Sequence, residues 1–119
     1  MHIITVEFIS NTDDEQRVRE AHAPVLEAFM ADESCLGVQL LRAKSRKEPN
    51  RFMVQTCWRS RDEAIAVSSR PEVMAKHDRI YEVQTTDQKT GVWSEILQMG
   101  LFAGEDVRSR MAPAESPSG

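Results

Sequence analysis

Residues 36–58, LGVQLLRAKSRKEPNRFMVQTCW, decide the fold. Leu36-Gly37-Val38-Gln39-Leu40-Leu41 reads as one strand and Arg51–Trp58 as another, each an apolar run of strand length. The polar turn Lys44–Asn50 (KSRKEPN) separates them. Strands joined by so short a loop predict an antiparallel hairpin, because parallel pairing needs a long crossover.

Upstream, residues 2–9 (HIITVEFI) carry the β-branched and aromatic pattern of a strand. Ser10-Asn11-Thr12-Asp13 follows, and Thr12 with Glu15 fits a capping box that would start a helix. Val18, Ala21/His22, Val25 and Phe29 then recur on one helical face as far as Ala31. Pro24 lies inside that run, which predicts a kink or two abutting helices. Downstream, Arg61 to about Val83 reads as a helical region interrupted near Ser68–Pro71. Its later apolar face is Val73/Met74, His77 and Ile80/Tyr81. Gln84–Thr90 reads as a polar loop and Gly91–Met99 as a fourth strand.

The order is β-α-β-β-α-β, the ferredoxin-like α+β arrangement: a four-stranded antiparallel sheet with both helices on one face. Its strands are apolar on both sides. Ile4, Val6 and Phe8 share one parity and Ile3 and Ile9 the other, while Val92 and Ile96 oppose Trp93, Leu97 and Met99. A sheet with one wet face alternates cleanly, so a second layer is expected over the other face. An identical subunit is the economical choice, which predicts a homodimer joined sheet to sheet.

Composition narrows the classes. The 119 residues hold 15 basic and 19 acidic side chains, a net charge of −4. Such a length predicts one domain. Its expected extent is 1–102, since 103–119 (AGEDVRSRMAPAESPSG) has no aromatic residue and no periodicity and reads as a disordered tail. An acidic chain with scattered charge argues against nucleic acid as a partner. No apolar run reaches the roughly 20 residues of a membrane span, and the N-terminus lacks the pattern of a signal peptide. Cys35 and Cys57 then read as reduced thiols in a cytoplasmic protein. No CxxC, HExxH or GxGxxG is present, so no metal or nucleotide motif is expected.

Four short stretches carry a resemblance. They are Asp32-Glu33-Ser34-Cys35-Leu36-Gly37, Pro49-Asn50-Arg51-Phe52, Trp58-Arg59-Ser60 and Asp62-Glu63-Ala64, with His77 further along. The pattern over residues 2 to about 99 resembles the antibiotic biosynthesis monooxygenase family, whose members form dimeric α+β barrels. The departures are specific. Glu33-Ser34 stands where the family usually has Pro-Gly, and Thr56 stands for a glutamate two residues before Trp58. Val54 occupies the place of an asparagine used by quinone-forming members. The haem-degrading members use a strand asparagine, a helix tryptophan and a helix histidine. Here those positions hold Val6, Val67 or Ser68, and His77.

The resemblance implies a cofactor-independent monooxygenase that oxidises a small electron-rich aromatic (a phenol, anthrone or quinol) with O2 in a cavity between helices and sheet. His77 and His22 are the candidate catalytic bases, because a neutral imidazole near pKa 6.5 takes a hydroxyl proton at neutral pH. Trp58, Tyr81, Val6, Phe29 and Met74 are the candidate substrate-binding residues. No cofactor is implied on this reading; haem held by His77 is the alternative. A small-ligand accessory protein without turnover, or an isomerase or cyclase on the same barrel, are the other classes open at this point. Cys57 alternates away from Trp58 and reads as a small hydrophobe facing the opposite layer.

Overall fold

The computed structural model describes residues 1–85 and 93–111. Strand β1 (His2–Ser10) is followed by α1 (Glu15–Met30), and the expected hairpin forms β2 (Cys35–Ala43) and β3 (Arg51–Trp58). Three short helices come next: α2 (Arg61–Ser68), α3 (Pro71–Lys76) and α4 (Asp78–Tyr81). A two-residue β4 (Gln84–Thr85), β5 (Trp93–Gly100), a 3-10 turn (Leu101–Ala103) and α5 (Arg108–Met111) complete the described elements.

The sheet is antiparallel throughout, in the order β4-β1-β3-β2-β5. Its four long strands with helices on one face are the ferredoxin-like α+β arrangement expected. Gln84 and Thr85, read as loop, pair with Ser10 and Ile9 at one edge, and β5 lies against β2 at the other. The expectations for 86–92, Val92 included, and for the side chains of Trp93 and Ile96 lie outside the described residues. The β1–β3 register places Ile4 beside Thr56, Val6 beside Val54 and Phe8 beside Phe52.

Local chemistry explains the helix boundaries. Asp14, not Thr12, caps α1: its carboxylate accepts from the Gln16 and Arg17 amides, and a carboxylate is a strong acceptor at a helix N-terminus. Thr12 instead accepts from the Asp14 amide, two residues too early to cap. Pro24 does not split α1, which runs unbroken through it. A single missing amide is tolerated because the helix is anchored on both sides by buried Val18, Val25, Leu26 and Phe29. Those four pack with Phe8, Val38, Leu40, Phe52 and Trp58 of the sheet and with Ala64, Val67, Val73 and Ile80 of the later helices.

The other face is organised differently. Gln55 donates to Thr5, Gln39 to Gln55 and Gln98 to Gln39, a row of amide hydrogen bonds that crosses four strands. At one end of that row Cys57 and Leu36 are buried under Phe102 and Val107. Cys57 therefore faces away from Trp58, as its alternation requires. Gly100 allows this closure: its φ is +65°, and a Cβ there would run into the Leu36 carbonyl.

The boundary at 102 needs revision for the described part of the tail. Residues 103–111 dock on the domain, with Val107 buried and one Arg110 guanidinium nitrogen donating to the carbonyls of Met30, Asp32 and Cys35 at 3.0–3.3 Å. Composition missed this because two side chains, one apolar and one cationic, suffice to hold a short segment against the carbonyls between the end of α1 and the start of β2.

Candidate active site

A cavity of about 330 Å³ lies between the helices and the sheet. That is near the lower end of the range for small-molecule sites. Its floor comes from β1 and β3, and its roof from α1, α2 and the α3–α4 joint. Phe8, Phe29 and Trp58 are its buried aromatic walls, while Ile4, Val6 and Tyr81 are its exposed members and mark the mouth. Both candidate histidines line it.

His22 is 2% exposed and projects from the middle of α1. Its Nδ1 lies 2.8 Å from the Val18 carbonyl, four residues back. A carbonyl only accepts, so Nδ1 carries the hydrogen and Nε2 keeps its lone pair. The ring stacks on Phe8, with centroids 4.9 Å apart and 17° between planes. Burial pushes the His22 pKa below its ordinary 6.5, the Val18 bond opposes that shift, and charge on His77 adds to the lowering. His22 is thus a neutral base under ordinary conditions.

His77 makes the same bond from a different support. Its Nδ1 lies 3.1 Å from the Val73 carbonyl, so its Nε2 is also the free acceptor. The residue closes α3 and starts α4, and its ring lies half-buried 6.4 Å from Phe29 and 6.3 Å from Tyr81. Pro71 in the first turn sets where α3 begins. Met74 is not part of the site: it is 58% exposed and absent from the cavity lining. The buried side chains of this region are Val73 and Ile80, so the inward face is centred one residue before Met74. Tyr81 lines the cavity at its mouth, with 68% of its surface exposed.

Trp58 closes the far end. It is 1% exposed, its ring meets Phe29 edge-on at 5.2 Å, and its indole N–H donates to the Thr56 hydroxyl at 2.8 Å. The chain turns straight into α2 because Ser60 and Glu63 form a capping box, with Ser60 accepting from the Glu63 amide and donating to its carboxylate. This start aims Ala64 and Ser68 at the cavity, and the Ser68 hydroxyl donates to the Ala64 carbonyl. Of the candidate residues, His22, His77, Trp58, Tyr81, Val6 and Phe29 thus share one cavity. Phe8, Thr56 and Ser68 were missed; the parity of Phe8 with Val6 and of Thr56 with Trp58 was the available signal. Both cysteines are fully buried, and burial pushes the Cys35 thiol up to about 12 and the Cys57 thiol upward as well. Neither is an activated nucleophile.

The family model for antibiotic biosynthesis monooxygenases matches residues 1–79, from the first residue to the α4 segment. The chain belongs to that family. No curated protein and no solved structure gives a significant match. In this member of the family the match spans every element that frames the cavity up to Arg79, both histidines included. No helix among the described residues is long and apolar enough to cross a membrane. The strand positions Val6 and Val54 are apolar wall here. This member concentrates its basic nitrogen atoms on the helices and leaves the floor with one hydroxyl, Thr56.

Proposed function

We propose that the protein is a cofactor-independent monooxygenase acting on a small aromatic with an acidic hydroxyl, a phenol, anthrone enol or quinol. The observation that supports it is the pair of imidazoles, each fixed by a backbone carbonyl at Nδ1 so that Nε2 is the free base, in a cavity whose walls are otherwise almost wholly apolar. His77, half-buried and nearest the mouth, is the better placed to meet an incoming hydroxyl, and His22 stands behind it against Phe8.

The chemistry asks little of the protein. An imidazole removes the hydroxyl proton, and the resulting anion passes one electron to O2, giving a substrate radical and superoxide. Their recombination forms a peroxide at ring carbon, which the imidazolium protonates. Loss of water leaves a carbonyl, so one oxygen atom of O2 enters the product and the other leaves as water. The apolar walls hold the ring and exclude water from the radical pair. The active unit is a homodimer, cytoplasmic, with the exposed Ile3 on the sheet face opposite the cavity inside the subunit contact.

The test is to replace the bases. His77→Ala is expected to lower the rate of oxygen uptake with anthrone by about 10²–10⁴-fold, the range for a general base. The double variant His22→Ala/His77→Ala is expected to fall to the uncatalysed rate while keeping its circular dichroism. Full turnover in a folded double variant would overturn the assignment.

A further inference from the structure

Thr56 is the one polar side chain on the cavity floor, and its hydrogen bonding is half complete. The residue is 4% exposed. Its oxygen accepts the Trp58 indole N–H at 2.8 Å, and an indole nitrogen never accepts in return. The hydroxyl hydrogen must therefore point elsewhere. Its cross-strand neighbours are Ile4 and Val38, and Val54 precedes it on the same face, all apolar. No hydrogen-bond acceptor for it is found among the described residues. The other polar groups of the cavity complement this donor: His22 and His77 present acceptors from the roof, and Ser68 is committed to the Ala64 carbonyl.

We propose that Thr56 is the specificity-determining donor of the site, binding an acceptor oxygen on the substrate. It rests on the cavity being the substrate site, and it narrows the substrate class. The aromatic carries two oxygens: an ionisable hydroxyl that meets an imidazole of the roof, and a second, conjugated oxygen that meets Thr56 on the floor. When the hydroxyl loses its proton, charge delocalises onto the second oxygen, so the Thr56 bond strengthens as the anion forms. Trp58 acts as a positioning residue: its N–H fixes the lone-pair side of Thr56 and so turns the hydrogen toward the ligand, and its own N–H is not offered to substrate.

The test uses two phenols of nearly the same shape, 4-hydroxyacetophenone and 4-isopropylphenol, titrated into the full chain by calorimetry. They differ in an acceptor oxygen against a methyl group. Thr56→Val is expected to weaken 4-hydroxyacetophenone by about 3- to 10-fold and to leave 4-isopropylphenol within about twofold. Thr56→Ser, which restores the hydroxyl, is expected to bind both probes as the parent protein does. Equal effects of Thr56→Val on both probes, or on neither, would overturn the role of Thr56 while leaving the cavity as the site. Should the parent protein bind neither phenol at millimolar concentration, the reading of the cavity falls, and the role of Thr56 with it.

Discussion

The two halves of the cavity present the same functional group from opposite kinds of support. On the α1 side, His22 projects from an unbroken 16-residue helix, is sealed to 2% exposure and lies flat on Phe8. On the α3–α4 side, His77 sits at the junction of a six-residue and a four-residue helix, half-buried beside the exposed Tyr81. Both use Nδ1 to hold a carbonyl four residues back. The difference separates two environments on one fold: a rigid, dry wall that keeps an imidazole neutral, and a looser wall that carries the cavity mouth. Short helices with few buried side chains belong to the low-stability end of a structure, and here they carry the mouth.

The largest expected effect tests the rigid half. Phe8→Ala removes the ring beneath His22, itself stacked on Phe52 at 5.7 Å. A buried aromatic truncated to alanine costs about 3–5 kcal/mol. Urea unfolding measures this, and a loss under about 1 kcal/mol would mean that the α1 half is not the anchored one.

The next effect is electrostatic and belongs to His22. Its folded pKa lies below 6.5, the unfolded value, so the unfolded chain takes up the proton first as pH falls. The contribution is therefore fully present above pH 6.5 and declines as pH drops toward the folded pKa. One group of this kind changes stability by at most about 1.4 kcal/mol per pH unit. Unfolding followed at pH 7.5, 6.5 and 5.5 is expected to show that decline, and His22→Gln is expected to flatten it. An unchanged slope in the variant would mean that His22 does not stay neutral in the fold.

The smallest effect is at the mouth. Tyr81→Ala is expected to change stability by no more than about 0.5 kcal/mol, because the side chain is mostly in water. Its consequence is expected in KM with anthrone rather than in the unfolding midpoint. A large loss of stability would make the α3–α4 side as firmly packed as α1 and remove the contrast.

Much of the rigid half was legible in the sequence. The hairpin, the strand β1 and the stripe Val18–Phe29 are long periodic signals, and they place His22 and Phe29 inward without ambiguity. The loose half was harder for a physical reason. Val73, His77 and Ile80 keep the inward spacing i, i+4, i+7, and periodicity alone does not separate Val73 from its neighbour Met74, which falls outside that narrow face and is exposed. Thr56 was hidden by chemistry rather than phase. It reads as a departure from the family pattern, and only the fold shows that its oxygen takes the Trp58 indole N–H inside the cavity. The docking of Val107 and Arg110 was likewise invisible, since it depends on carbonyls between the end of α1 and the start of β2 that only the fold exposes.

The central claim is that this cavity oxygenates an aromatic by itself, and oxygen accounting tests it most directly. The purified chain is mixed with anthrone under ¹⁸O₂, with uptake and product mass followed together. One O2 consumed per anthrone, and one ¹⁸O atom in the anthraquinone formed, is the result the account predicts. Anthrone bound in the cavity with uptake no faster than in buffer would contradict it.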